Sequence, residues 1–266
     1  MGDQPLVRWD WIIDNIGDPI GTRLLEHLQL SLTPILLGLL IALPVGIACA
    51  RWRSLYPPVF TGVNVIYAIP SIALFFLLLP YTSFSPWTAI IPLALYTLAI
   101  LVPNVVDGLN QVPDHVRQAA TAMGFGPLRR LVQVELPVAV PVIIAGLRIA
   151  AVATISMVSI ASLVGLGGLG QLILTDGFRR QFSTPIVVGI VLSVVLAFLV
   201  DGLLVLLQRR LTPWTRGREL GAAARTAAPA SARDRGAART HRGAAVAEPG
   251  GPGPDADATG GQGEST

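Results

Sequence analysis

The sequence predicts an all-α fold, a polytopic membrane helical bundle of about five transmembrane helices with a helix–turn–helix on the cytoplasmic face. Three observations predict it. Of 266 residues, 52% are hydrophobic and only 13% are charged, against about 25% charged in an ordinary soluble domain. Five stretches reach the roughly 20 apolar residues that a membrane-crossing helix needs. Between Glu26 and Leu207 only Asp107–Glu135 interrupts them with a sustained polar run.

Residues 1–29 form the first region. They mix Asp10, Asp14 and Asp18 with Trp9 and Trp11, and no apolar core follows a basic start, so no cleavable signal is expected and the first span acts as its own insertion signal. Trp9–Glu26 is expected to be a short amphipathic helix on the outer surface, its tryptophans at the lipid interface. The transmembrane region covers residues 30–210. Its predicted spans are Leu30–Ala50, Val59–Leu79, Trp87–Val106, Leu136 to about Val158, and Ile186–Leu207. Pro70 and Ser71 fall near the middle of the second span. Proline removes a backbone donor there, and Ser71 or a neighbouring helix is expected to satisfy the freed carbonyl at a kink. Pro70 and Ser71 are therefore candidates to line a pathway or to shape the packing.

The polar loop 107–135 lies between spans three and four. Pro113 suits a first helical position and Asp114 a helix N-terminus. The helix runs to Met123, Gly124 fits a left-handed cap, and Pro127 starts a second short helix leading to Leu136 and Pro137. Ala119, Ala120 and Ala122 give the first helix a surface on which another protein can approach closely. In the fourth span Arg148 lies eleven residues past Pro137, about 16 Å along the helix. Ionisable groups at such depth face protein or water. Asp201 in span five is expected to pair with it, directly or through water, across a depth gap of roughly 10 Å, with a place on the solute pathway as the alternative role for Arg148 and Asp201. Residues 211–266 are rich in Ala, Gly, Pro and Arg, basic and then acidic; with no periodic apolar pattern, Gly221–Thr266 is expected to be a disordered cytoplasmic tail.

Orientation follows from arginine, the chain containing no lysine. With the N-terminus outside, Arg51, Arg53, Arg117, Arg129, Arg130, Arg209, Arg210, Arg216 and Arg218 lie in the cytoplasm, and Arg8, Arg23, Arg179 and Arg180 lie outside. The excess on the inner side favours N-out and C-in. Scattered arginines and a net charge of +3 mark topology rather than a nucleic-acid surface. Cys49, the single cysteine, is read as packing, and His27, His115 and His241 are too dispersed to suggest a metal site.

The loop carries a recognisable pattern. Gln118-Ala119-Ala120 is followed after three residues by Gly124, then after nine by Val134, one residue, and Leu136-Pro137. This resembles the cytoplasmic loop of binding-protein-dependent ABC importers, where Glu-Ala-Ala opens the same spacing. Gln118 departs from it by losing the charge. The resemblance implies that Gln118, Ala119, Ala120, Gly124, Leu136 and Pro137 form a coupling loop that docks on an ABC ATPase subunit. Further stretches resemble the osmoprotectant branch, whose permeases serve glycine betaine, choline and carnitine: Tyr67-Ala68-Ile69-Pro70-Ser71-Ile72-Ala73-Leu74, Ala145-Gly146-Leu147-Arg148, and Ile160-Ala161-Ser162-Leu163 leading to Gly165-Leu166-Gly167-Gly168-Leu169-Gly170-Gln171. Methionine-type importers share part of these. The resemblance covers about residues 24–210. It implies a second permease copy, identical or closely related, and a separate substrate-binding protein. It places the chain in the bacterial cytoplasmic membrane.

Several classes are disfavoured by the residues themselves. A P-loop requires lysine, so no ATP site is expected on this chain; ATP belongs on the partner and no bond-cleaving catalysis is expected here. Gly165, Gly167 and Gly170 match G-x-G-x-x-G, but that fingerprint needs a preceding strand; a bend at the outer end of the pathway accounts better for glycine here. An ion-coupled secondary transporter would need intramembrane carboxylates and usually inverted repeats, and Asp201 is its main candidate. An amino-acid importer, for methionine among others, is the alternative within the ABC class. For a quaternary ammonium solute, Tyr67 and Tyr96, with Phe75 and Phe76, are the aromatic faces available in the spans to line the route.

Overall fold

The computed structural model describes residues 6–213. The expected tail Gly221–Thr266, together with Arg216, Arg218 and His241, lies outside the described residues. Helix α1 (Trp9–Asp14) is short. A wide turn over Ile16–Gly21 follows, in which Asp18 is extended (φ −141°, ψ 127°), as the residue before a proline prefers. The surface helix expected over Trp9–Glu26 is therefore split at Asp18–Pro19. Its last part already belongs to α2 (Thr22–Arg51), the helix that contains the expected first span Leu30–Ala50.

After Trp52 leaves the helix, a tight turn over Arg53–Leu55 leads to α3 (Tyr56–Ala68) and α4 (Ser71–Thr82). Ile69 and Pro70 between them are extended, with ψ 131° at both, and the two helical pieces bend by 89°. The second span is thus a broken pair rather than a kinked rod. Proline disfavours helical geometry at the preceding residue and cannot donate to the helical ladder. Among the described residues, four helices are long and apolar enough to cross a membrane, and the bent pair gives a fifth if counted as one span.

Helix α5 (Trp87–Asn110) is the centre of the bundle. Leu93, Leu101, Val102 and Val105 on it are completely buried. It packs against α2, against α3 and α4, and against the later helix over Leu136–Ala161. Helices gain little from hydrophobicity alone when lipid is the alternative, so close approach through small residues matters. A Cβ added at Gly46 of α2 would lie 2.6 Å from the Val105 side chain, and one at Gly146 would cut into Asn104.

The loop begins at Gln111, four residues later than expected, because α5 runs on to Asn110. Helix α6 (Asp114–Ala122) has Pro113 as its N-cap, one position before the first helical residue. Helix α7 (Pro127–Arg130) is not a separate short helix. Through a wide turn over Leu131–Glu135 it joins α8 (Leu136–Ala161), and the helical run extends from Pro127 to Val164. The glycine segment follows, then α9 (Leu169–Gln171), a wide turn over Leu172–Phe178 and α10 (Ser183–Leu211). Most of α10 faces outward with apolar side chains such as Val194, Phe198 and Leu203, a surface suited to lipid. Ile20 packs with Leu169, Leu172 and Val188. The Arg8 backbone N–H donates to Thr184 Oγ1 at 3.0 Å, so the N-terminal segment and the start of α10 share the end of the bundle that holds the glycine segment.

Candidate functional site

The loop ends α6 with two nested backbone bonds. Gly124 N–H donates to Thr121 O at 3.0 Å and Phe125 N–H to Ala120 O at 3.1 Å. This is the Schellman closure, which needs a left-handed residue after the cap, and Gly124 supplies it with φ +81°. Gln118 and Ala119 are exposed, whereas Ala120 is only 1% exposed, so the three residues of the motif divide between an open face and an inner contact. Leu136 packs where α5 and α8 meet, against Val105, Leu109, Ala139 and Ile143, and Pro137 opens the first turn of α8.

Three side chains absent from the motif tie this loop to the spans. Arg117 Nη2 donates to Leu109 O at 2.6 Å, anchoring α6 to the end of α5. Arg130 donates from Nε to Glu135 Oε1 at 2.8 Å and from Nη1 to Thr121 Oγ1 at 3.0 Å, joining the two arms of the loop. Arg117 Nε lies 4.0 Å from the same Glu135 oxygen. Sequence reasoning used Arg117 and Arg130 only as topology markers. A glutamate five residues after an arginine, just before the span, was the available signal.

At the broken span, the Tyr96 hydroxyl of α5 donates to the carbonyl of Ile69. The neighbouring helix therefore supplies the partner for the break, through Tyr96 rather than Ser71. Tyr67 and Tyr96 meet edge to face with centroids 5.4 Å apart. Tyr96 is 3% exposed and Tyr67 is 40% exposed. Of the two lining candidates, only Tyr67 offers an open face; Tyr96 holds the backbone of the break.

Arg148 and Asp201 form a direct two-pronged pair, Nε to Oδ1 at 2.6 Å and Nη2 to Oδ2 at 2.9 Å. The two side chains thus span directly the depth gap inferred from residue counting. The pair ties α10 to α8 beside a groove of about 440 Å³ that Ser156, Ser193 and Phe198 also line.

The opposite end is organised by Glu26 and His27, which the sequence reading did not single out as a pair. Glu26 Oε2 accepts from Gly168 N–H at 2.9 Å and from Arg23 Nη1 at 2.8 Å. His27, fully buried, accepts from Leu169 N–H at Nδ1 (3.3 Å) and lies 3.1 Å from Ile155 O at Nε2. Those two partners assign the proton to Nε2, which donates to the carbonyl. Gly167 and Gly168 have φ +95° and +78°, and a Cβ at Gly167 would lie 2.6 Å from Glu26 Oε2. The glycines here permit a left-handed backbone to approach two side chains, and the N–H groups of Gly168 and Leu169 are already occupied, which disposes of the nucleotide fingerprint. Among the described residues, no group of three or more His, Cys, Asp or Glu side chains could hold a metal ion.

Residues 42–213 match the family described as binding-protein-dependent transport system inner membrane component. The osmoprotectant import permease protein OsmW of Salmonella typhimurium is 34% identical over 208 residues, covering 76% of this chain and 96% of its own length. The choline transport system permease protein OpuBB of Bacillus subtilis is 31% identical over 197 residues, 74% and 90% of the two chains. Among solved structures, the MetNI methionine ABC transporter in an inward-facing conformation matches with a TM-score of 0.66 at 26% identity, over 73% of this chain and 99% of that one.

Proposed function

The chain belongs to the binding-protein-dependent transport system inner membrane components, and from that premise we propose that it carries quaternary ammonium osmoprotectants inward, driven by a separate ABC ATPase. It is a multi-pass inner-membrane permease subunit. In the proposed assembly two permeases, identical or closely related, face each other. ATP sits on the partner ATPases, and a separate binding protein delivers the solute. Glycine betaine, choline and carnitine form the solute class, and the support for it is that relatives at 30–34% identity are choline, osmoprotectant and glycine betaine/carnitine/choline permeases. The arginine distribution supports N-out, which puts α6 in the cytoplasm.

The observation that carries the mechanism is the mechanical continuity of the loop. The open face of Gln118 and Ala119 receives the ATPase. Movement of α6 passes through the Arg117–Leu109 contact to α5 and through Arg130 and Glu135 to the start of α8. Helix α5 carries Tyr96, which holds the broken span. Helix α8 carries Arg148, which holds α10, and Ile155, whose carbonyl meets His27. A displacement at the loop therefore reaches the break and the opposite end of the bundle without any further element.

Selectivity falls mainly to the binding protein, because Tyr67 alone of the two tyrosines presents an open ring. The test is uptake of labelled choline, glycine betaine, carnitine and methionine in a transport-deficient host carrying this chain with its partners. Uptake of a quaternary amine that needs both ATP and the binding protein is the expected result. Uptake of methionine alone would keep the importer and replace the solute class, which the likeness to the methionine transporter makes the specific alternative.

A further inference from the structure

A cavity of about 430 Å³ opens between the ends of α2 and α5 and the α7 arm of the loop. Its inner wall is apolar and includes Ile47 of α2 and Leu109 of α5. Its polar lining is Arg51, Arg117, Arg130 and a single carboxylate, Glu135. The donors outnumber the acceptors. Glu135 is engaged by Arg130 at 2.8 Å and reaches Arg117 only at 4.0 Å. Arg117 Nε is buried and has no hydrogen-bond partner, a condition that native structures normally relieve with an acceptor from elsewhere. Arg51, at the end of α2, is exposed, and no ion pair of it is found among the described residues.

A tetrahedral anion suits this arrangement, since guanidinium groups bind phosphate oxygens through parallel N–H bonds. A phosphate could come from a lipid headgroup or from solution, and the apolar wall favours the lipid. Ile47 lies in the last turns of a spanning helix and packs on the core around Leu109, while Leu128 at the mouth is 74% exposed, so the cavity joins an open apolar side chain to a basic rim. Basic pockets between transmembrane helices bind anionic headgroups in this way. The exposed face of α6 does not compete for the space, because Arg117 is the only α6 residue in the lining. We propose that this cavity binds the phosphate of an anionic phospholipid, with Arg51 and Arg117 as its donors. The site follows from the membrane-spanning fold and does not rest on the solute or on the ATPase.

The test is native mass spectrometry of the full chain in detergent, titrated with phosphatidylglycerol, phosphatidylcholine or inorganic phosphate. Phosphatidylglycerol should be retained in preference to phosphatidylcholine. Arg51→Gln should weaken its retention about fivefold, the loss expected for one basic contact at a membrane surface, and Arg51→Lys should restore most of it. Arg117→Gln should act in the same direction; because Arg117 also holds Leu109, Arg51 carries the decision if that variant fails to fold. Equal retention by the wild type and Arg51→Gln would overturn the proposal. Displacement of the lipid by inorganic phosphate would assign the rim to a free anion and overturn the lipid. Unchanged lipid retention with lost ATPase binding in Arg51→Gln would give the cavity to the protein interface and also overturn it.

Discussion

The two ends of the bundle are fastened by different chemistry. At the loop end, long side chains do the joining: Arg117, Arg130 and Glu135 link α5, α6 and α8, and each remains partly open to water. Such pairs are individually weak and can exchange partners. At the glycine end, Glu26 and His27 capture backbone N–H groups of Gly168 and Leu169, and glycines with positive φ allow no other residue type to come so close. The first end suits a linkage that must give when a partner moves. The second suits a fixed pin about which the spans turn.

Substitutions can break or sharpen that contrast. The largest effect is expected for Gly167→Val. Its side chain would meet Glu26 and hold a φ of +95° that valine resists, costing at least about 3 kcal/mol from backbone strain and the displaced carboxylate together. Thermal unfolding of the detergent-solubilised protein should show it as a marked fall in transition temperature or as loss of the folded species. His27→Ala comes next. It leaves the buried Leu169 N–H without its partner, removes the second bond to the Ile155 carbonyl and opens a cavity, a loss of about 2–3 kcal/mol readable in the same assay. Glu135→Gln should be the mildest for stability, within about 1 kcal/mol. It should nevertheless lower ATP-dependent uptake, since it weakens the link from Arg130 to α8. A ranking in which Glu135→Gln destabilises more than His27→Ala would remove the distinction between the two ends.

The legibility of the molecule in its sequence follows the same division. Four spans and the loop were readable because long apolar runs and a fixed spacing are local properties. The break at Pro70 was readable as an interruption, but its 89° angle was not, because it depends on Tyr96 reaching Ile69 across the bundle. Arg148 and Asp201 were legible as partners through their rarity in lipid, whereas direct contact depends on how α8 and α10 cross. The surface helix expected over Trp9–Glu26 is split at Asp18–Pro19 because the residue before a proline prefers extended backbone, a local restriction that overrides the amphipathic reading. Glu26 and His27 were illegible as a site. Their partners lie 142 residues away, and nothing in an adjacent Glu-His pair announces which backbone it will bind.

If the loop transmits ATPase movement to the spans, Gly124→Val should interrupt it. No atom lies within 4 Å of an added Cβ there, so the substitution acts chiefly through the +81° φ of the Schellman turn, at a cost of about 1–2 kcal/mol. The measurement is labelled choline uptake per ATP hydrolysed by the assembled complex in proteoliposomes, with the amount of inserted permease determined in parallel. Normal insertion with a sharply reduced ratio, or loss of ATPase association, is the expected result. Uptake fully coupled to hydrolysis at the wild-type ratio would contradict it.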